Sequence, residues 1–274
     1  MDKNSVVLIS GCSSGIGLAL AREFASRGCR VFATARKPEV IAHLKKEKME
    51  IAALDVTDQT SIDACVAEVI ARAGRIDVLV NNAGYLLIGP MIDLPIDDLR
   101  REFETNVIGL VALTKAVVPH MIRQRSGLIV NMASVSGICA TPFAGAYCAT
   151  KAAVNLLSTS LRIELAPFGI SVVTVQPGAI QSRLGESASD NIRMNENSVY
   201  QSVAAYVQAR ANASQKDPTT AEEFSKKLVD KLLGKKIPKI IRLGKQSAML
   251  PIVAGLPVDS FDRLMSKTFG LNKL

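Results

Sequence analysis

The chain has 274 residues, of which 48% are hydrophobic, 21% charged and 4% aromatic, a composition that excludes disorder, collagen and coiled coil. Its formal charge of +8 invites a nucleic-acid or acidic-membrane partner, but residues 1–215 hold 21 basic and 19 acidic side chains while residues 216–274 hold 12 and 6. The excess belongs to the tail, and with no Trp and four Tyr there is little for base stacking, so no nucleic acid is expected.

Residues 5–10 form a short apolar run that predicts a first strand, passing through Gly11-Cys12-Ser13-Ser14-Gly15-Ile16-Gly17 into a helix over 16–26. Further strands are expected at 30–35, 50–54, 78–81, 127–131 and 170–176, with helices at 38–46, 60–73, 96–125 and 144–166 between them. After residue 176 the alternation lapses, and 179–215, polar and rich in Ser and Asn, reads as loop and short helix. A helix at 220–233, a last strand at 239–243 and an amphipathic tail to residue 274 complete the chain. Short apolar strands alternating with helices predict an α/β fold, one parallel sheet covered on both faces by helices. We expect a single domain over 1–274, with a substrate loop at 179–215 and a C-terminal extension at 244–274. The helices at 96–125 and 144–166 are apolar on more than one face, which predicts a homodimer or homotetramer. Five scattered cysteines suit neither a disulfide framework nor a zinc site and point to a reducing, cytoplasmic compartment, with no metal. No stretch reads as a membrane span, and the run Val6–Ile9 is too short for a secretion signal.

The glycine turn is a candidate anion cradle: glycine permits a tight turn and close approach of a pyrophosphate, and free amides at the helix start attract it. By itself it could equally be a packing device, and its GxxxGxG spacing differs from the general GxGxxG fingerprint. Four later motifs are more specific: Asn81-Asn82-Ala83-Gly84 after the fourth strand, Asn106 in the long helix, Ser134 beyond the fifth strand, and Tyr147-Cys148-Ala149-Thr150-Lys151 opening the next helix. Tyr147 and Lys151 stand four residues apart and project from one helix face.

Over residues 5–180 the chain resembles the short-chain dehydrogenase/reductase family, with the motifs in unbroken order and Ser10 where Thr is commoner. The resemblance implies a single Rossmann-type, doubly wound parallel sheet with a C-terminal helical extension. It implies a catalytic tetrad of Asn106, Ser134, Tyr147 and Lys151, in which Asn106 positions a water linking Lys151 to solvent. It also implies cofactor contacts from Gly11, Ser13, Ser14, Gly15, Ile16, Gly17, Asp55, Val56, Asn82, Ala83, Gly84, Tyr147, Lys151, Pro177, Gly178 and Ile180. For Asp55, helix capping is an alternative.

The chemistry can be argued from the side chains as well. A carbonyl that accepts a hydride needs a proton, and a phenol suits that task if its pKa falls from about 10 toward neutrality. Lys151⁺ and an oxidised nicotinamide nearby are expected to lower it, and Ser134 to polarise the substrate oxygen. The second strand ends in Thr34-Ala35-Arg36-Lys37, with no acid between Glu23 and Glu39. An acid there would bind a ribose 2′-hydroxyl, whereas Arg36 beside Lys37 suits a 2′-phosphate, so NADP(H) is the expected cofactor. The bland reading of Arg36 is a solvated surface charge.

In this family the segment after the sixth strand closes over substrate, and its apolar residues here, with Ile138 and Phe143, predict an apolar carbonyl compound. Short motifs look most similar to the 17β-hydroxysteroid-dehydrogenase-like branch, which includes 1-acyldihydroxyacetone-phosphate reductases. Leu184 is taken as a substrate contact, and Arg183 and Arg193 as cations for a phosphorylated substrate or else solvated loop charges. The tail from Met249 to Val258, flanked by Lys245, Arg263 and Lys267, would lie in a membrane interface or pack on the catalytic domain or a partner subunit. A catalytically silent dinucleotide sensor or scaffold is the alternative function; the full tetrad argues against it.

Overall fold

A computed structural model of the chain describes residues 4–182, 185 and 188–274. Arg183 and Leu184 lie outside the described residues.

Seven parallel strands form one sheet in the order β3-β2-β1-β4-β5-β6-β7. The strands are β1 (Val6–Ile9), β2 (Arg30–Ala35), β3 (Glu50–Ala53), β4 (Val78–Asn81), β5 (Gly127–Met132), β6 (Ile170–Pro177) and β7 (Ile240–Leu243). Side chains alternate across a strand, and both faces are apolar here because both are covered. In β1, Val7 and Ile9 enter one core with Phe24, Phe224 and Leu228. Val6 and Leu8 enter the other with Ile62, Leu113, Val117 and Met121.

The helices match these faces. α1 (Gly15–Ser26) supplies Phe24 and α7 (Ala221–Leu232) supplies Phe224 to the first core. On the opposite face lie α2 (Gln59–Ala73), α4 (Gly109–Gln124) and α5 (Gly145–Leu165). α2 is capped by Asp58, whose carboxylate accepts from the Thr60 N–H at 2.9 Å. α6 (Ala204–Asn212) lies in the 179–215 segment, and α8 (Met249–Val253) and α9 (Val258–Thr268) in the tail.

Three local features depart from the expectations. Residues Pro38–Glu47 form a 3₁₀ rather than an α-helix. The helix expected over 96–125 is divided into α3 (Ile96–Phe103), a π-helical segment Glu104–Ile108, and α4. That continuous run, Ile96–Gln124, is also long and apolar enough to cross a membrane by length and composition, contrary to the expectation. Its Leu113, Val117 and Met121 are instead buried against the sheet.

The tail returns to the body of the molecule. The Phe269 ring packs edge-on against Phe143 at 6.2 Å, and Lys273 Nζ stands 5.0 Å from the Tyr206 ring centroid. The end of the tail, beyond the Met249–Val258 run, thus packs on the body of the chain. Ile252 and Val258 remain exposed.

Candidate active site

In this strand order the chain leaves β1 toward β2 on one side and reaches β4 on the other, so a crevice opens beyond their carboxyl ends. The glycine loop occupies it. Gly11 and Gly15 have φ of +74° and +56°, the left-handed region that glycine enters without cost. A Cβ on Gly17 would stand 2.2 Å from the Gly11 carbonyl oxygen. Ser14, at the N-cap of α1, makes no side-chain cap, so the first-turn amides are available to an anion. Ser13 is exposed and Ile16 half-buried. The residues fit a pyrophosphate.

This loop is locked to the one after β4. Ser10 Oγ accepts from the N–H groups of Asn82 and Ala83 at 2.9 and 3.0 Å. Asn82 Nδ2 donates to the carbonyls of Ser10 and Gly11 at 2.9 and 3.0 Å. The Asn82 side chain is thus spent on shaping the cradle. Arg36 and Lys37 are exposed just past β2, two and three residues beyond Thr34, whose carbonyl accepts from the Cys12 N–H at 2.7 Å. Asp55 Oδ1 accepts from Thr57 N–H and Oγ1 at 3.0 and 2.7 Å; the cap of α2 is Asp58, so helix capping is not the role of Asp55. Val56 is buried beneath the start of α4, where a Cβ on Gly109 would meet the Val56 carbonyl oxygen at 2.6 Å. Pro177 ends β6 and Gly178 follows it, where a Cβ would stand 2.0 Å from the Lys245 carbonyl oxygen. The Ile180 side chain packs in the core, leaving its backbone as the part that could face a cofactor.

The tetrad converges beside this crevice. The first two turns of α5 carry Tyr147 and Lys151. Lys151 Nζ donates to the Met132 carbonyl at 2.9 Å and lies 5.6 Å from the Tyr147 ring centroid. Ser134, buried just past β5, caps the short turn Val135–Gly137 by accepting from the Ser136 N–H at 3.1 Å. A Cβ on Gly137 would stand 2.5 Å from the Lys151 carbonyl oxygen, so this glycine lets the Ser134 turn press on α5. A Cβ on Gly84 would lie 3.5 Å from Asn106 Oδ1 and 3.9 Å from Lys151 Nζ, which places the loop after β4 over the same residues.

Asn106 sits within the π-helical segment. Its Oδ1 accepts from the Tyr85 N–H at 2.7 Å, and its Nδ2 donates to the Tyr85 carbonyl at 2.8 Å and Thr150 Oγ1 at 3.1 Å. These bonds tie the strand-end loop to α5. None of its side-chain bonds reaches Lys151.

Sequence reasoning missed Glu102, which is fully buried. Oε1 accepts from the Leu87 N–H at 2.9 Å, while Oε2 has no hydrogen-bond partner among the described residues. Burial pushes its carboxyl up to about 7, against the Leu87 N–H and the charge of Lys151. Burial pushes the Lys151 ammonium down to about 8, with Glu102 pulling the other way. The Tyr147 phenol is pushed above its ordinary range by burial, pulled back by Ser134, and raised further by Glu102. Among the protein's own groups desolvation is the largest influence on this phenol.

Phe143, expected on the substrate side, lies in an apolar cluster with Leu86, Ile88, Val203 and Val207, and Tyr147, Met194, Tyr200 and Phe269 are partly buried against it. Phe143 is its hub, held at φ +65° with its ring edge-on to Tyr200 at 6.0 Å. Ile138 is half-buried in the turn after Ser134. Arg193 needs correction as a substrate cation. Its Nε donates to Asp98 Oδ2 at 2.8 Å, and this guanidinium holds the Asp98 carboxyl below its usual range. Its backbone also presses on Gly89, where a Cβ would stand 2.0 Å from the Arg193 carbonyl oxygen. Arg193 fastens the 190–195 segment to α3.

Comparison with known proteins agrees with this geometry. Residues 5–193 match a family profile described as short chain dehydrogenase. An NADPH-dependent 1-acyldihydroxyacetone phosphate reductase of Schizosaccharomyces pombe is 36% identical over 240 residues, covering 86% of this chain and 80% of the relative. The crystal structure of a short-chain dehydrogenase from Streptomyces avermitilis superposes with a TM-score of 0.83 at 32% identity, covering 98% of both chains. A metagenomic short-chain oxidoreductase in complex with NADP gives a TM-score of 0.62 at 34% identity, covering 65% of this chain and 84% of that one.

Proposed function

The chain belongs to the short-chain dehydrogenase family, an oxidoreductase family, and from that premise we propose that it is an NADPH-dependent reductase of an apolar ketone, a lipid, steroid or similar compound. The observation that carries this reading is the placement of Tyr147 and Lys151 on one face of α5, with Ser134 against the phenol, at the rim of the glycine crevice.

Bound NADPH supplies the hydride that the carbonyl carbon accepts. The protein's part is to bind, orient and protonate. Ser134 Oγ donates a hydrogen bond to the carbonyl oxygen, and Tyr147 Oη gives that oxygen its proton as charge develops there. Lys151, fixed by Met132, holds positive charge beside the phenolate that remains. Asn106 keeps Tyr85 and Thr150 in register with these groups. Arg36 and Lys37, with no acid between Glu23 and Glu39, favour the 2′-phosphate. Support also comes from the relative named as NADPH-dependent and the neighbour solved with NADP. The apolar cluster around Phe143 and Tyr200 suits a hydrocarbon body, and exposed Leu156 and Ile163 on α5 suit the face of a homo-oligomer.

A panel of lipid, steroid, retinoid and small ketones, assayed with NADPH and NADH in parallel, tests the reading. We expect turnover of apolar ketones and a clear preference for NADPH. No turnover across the panel would favour the sensor alternative.

A further inference from the structure

The inner side of α6 carries a charge that the tetrad does not use. Val207 and Ala211 on this helix are buried in the cluster with Phe143 and Cys148, and Arg210, three residues from Val207, shares that side. Arg210 Nε donates to Thr141 Oγ1 at 2.9 Å, and Thr141 Oγ1 lies 3.9 Å from Cys148 Sγ. The guanidinium is thereby held against the first turn of α5, at the residue after Tyr147.

Among the described residues Arg210 forms no ion pair. Arg27 and Arg193, also half-buried, each hold a carboxylate. Among the described residues the titratable groups that face Arg210 are Cys148, Tyr147 and Cys139, none of them a carboxylate, and burial lowers its affinity for a proton. A desolvated guanidinium without a counter-ion is costly. Its planar fork matches carboxylate or phosphate bidentately.

We propose that Arg210 is an anion-binding subsite of the substrate pocket, and that the preferred substrate is a ketone bearing a carboxylate or phosphate group that docks on the guanidinium while its carbonyl faces Ser134 and Tyr147. This inference rests on the reductase reading. It moves the substrate cation from Arg193, which Asp98 occupies, to a residue beside the catalytic phenol. Carboxylate and phosphate share the chemistry, and the substrates tested separate them.

The test compares wild type, Arg210→Gln and Arg210→Lys with NADPH on matched ketones: a long-chain oxo acid and its methyl ester, and a phosphorylated acyl ketone and its dephosphorylated form. Wild type should prefer one anionic member, and Arg210→Gln should lower kcat/KM for it about thirtyfold or more, chiefly through KM. The loss on the neutral partner should be at least about tenfold smaller, and Arg210→Lys should restore part of the preference. An alkyl phosphate or alkyl carboxylate with NADP⁺ should raise the Tm of wild type and not of Arg210→Gln, a readout independent of turnover. Equal losses on charged and neutral ketones, or turnover of neutral ketones with no anionic preference in wild type, would overturn the subsite alone. Absence of any ketone reduction would overturn the reductase reading and the subsite with it.

Discussion

Glu102 is a carboxyl buried with one oxygen unbonded, and its environment writes a pH dependence into the protein's stability. Its pKa rises from 4.5 to about 7 on folding. Below 4.5 both folded and unfolded states hold the proton and there is no penalty. Between 4.5 and 7 the unfolded chain ionises first, so stability falls as pH rises, and above 7 the loss is complete. Two to three pKa units correspond to about 3 kcal/mol. Glu102→Gln keeps the acceptor for the Leu87 N–H and removes the titration, so its Tm should change much less between pH 5 and pH 8 than that of wild type. Parallel melting curves at the two pH values check this; equal slopes would contradict it. Residues of this kind were poorly legible in the sequence. Glu102 stands in Asp97-Asp98-Leu99-Arg100-Arg101-Glu102-Phe103-Glu104, which reads as a solvated face, and its one signal is a position four residues before Asn106. Arg210 stands between the small or apolar residues Val203, Val207 and Ala211, which mark a buried side but not what the charge beside it faces, whereas Arg193 looked available because its partner, Asp98, is far away in sequence. The convergence of Ser134, Tyr147 and Lys151 was legible because strand ends fixed their places, and Tyr147 and Lys151 needed only one helical turn to meet.

Elements were legible where a repeating pattern defined them. The β strands arise from short apolar runs, and the glycine turn from residue types that only a close backbone approach requires. Gly17→Ala tests that turn directly: its Cβ would meet the Gly11 carbonyl oxygen at 2.2 Å and Asn82 Nδ2 at 2.5 Å. Since the obstacle is backbone, the loop must shift. We expect stability to fall by about 1–3 kcal/mol and NADPH affinity to fall with it, read by thermal melting and by titration of cofactor fluorescence. Unchanged affinity would show that the cradle does not hold the cofactor. The π-helical segment Glu104–Ile108 was not legible, because one inserted residue leaves the apolar spacing on either side helical. The 3₁₀ character of Pro38–Glu47 escaped for a related reason: its buried Ile41 and Leu44 are spaced by three, which suits either helix.

At the scale of the whole molecule, one parallel sheet brings three distant stretches of chain to a single crevice: the loop after β1, the loop after β4, and the first turns of α5. The sheet order places them there, so their separation in sequence costs nothing in precision. The positive charge that first suggested an external polymer is concentrated after residue 215, and the end of that basic tail folds back so that Phe269 meets Phe143 at the substrate cluster. The apolar cluster around Phe143 is therefore shared between the 179–215 segment and the terminus, a contact between remote regions that no local pattern announces. What unites these parts is the claim that Tyr147 is the proton donor for carbonyl reduction. The most direct measurement is NADPH oxidation with the best ketone of the panel, for wild type and Tyr147→Phe, alongside NADPH binding to both. The account predicts that the variant binds NADPH with nearly the affinity of wild type and loses at least about a hundredfold in kcat. Retention of wild-type kcat by Tyr147→Phe would contradict it.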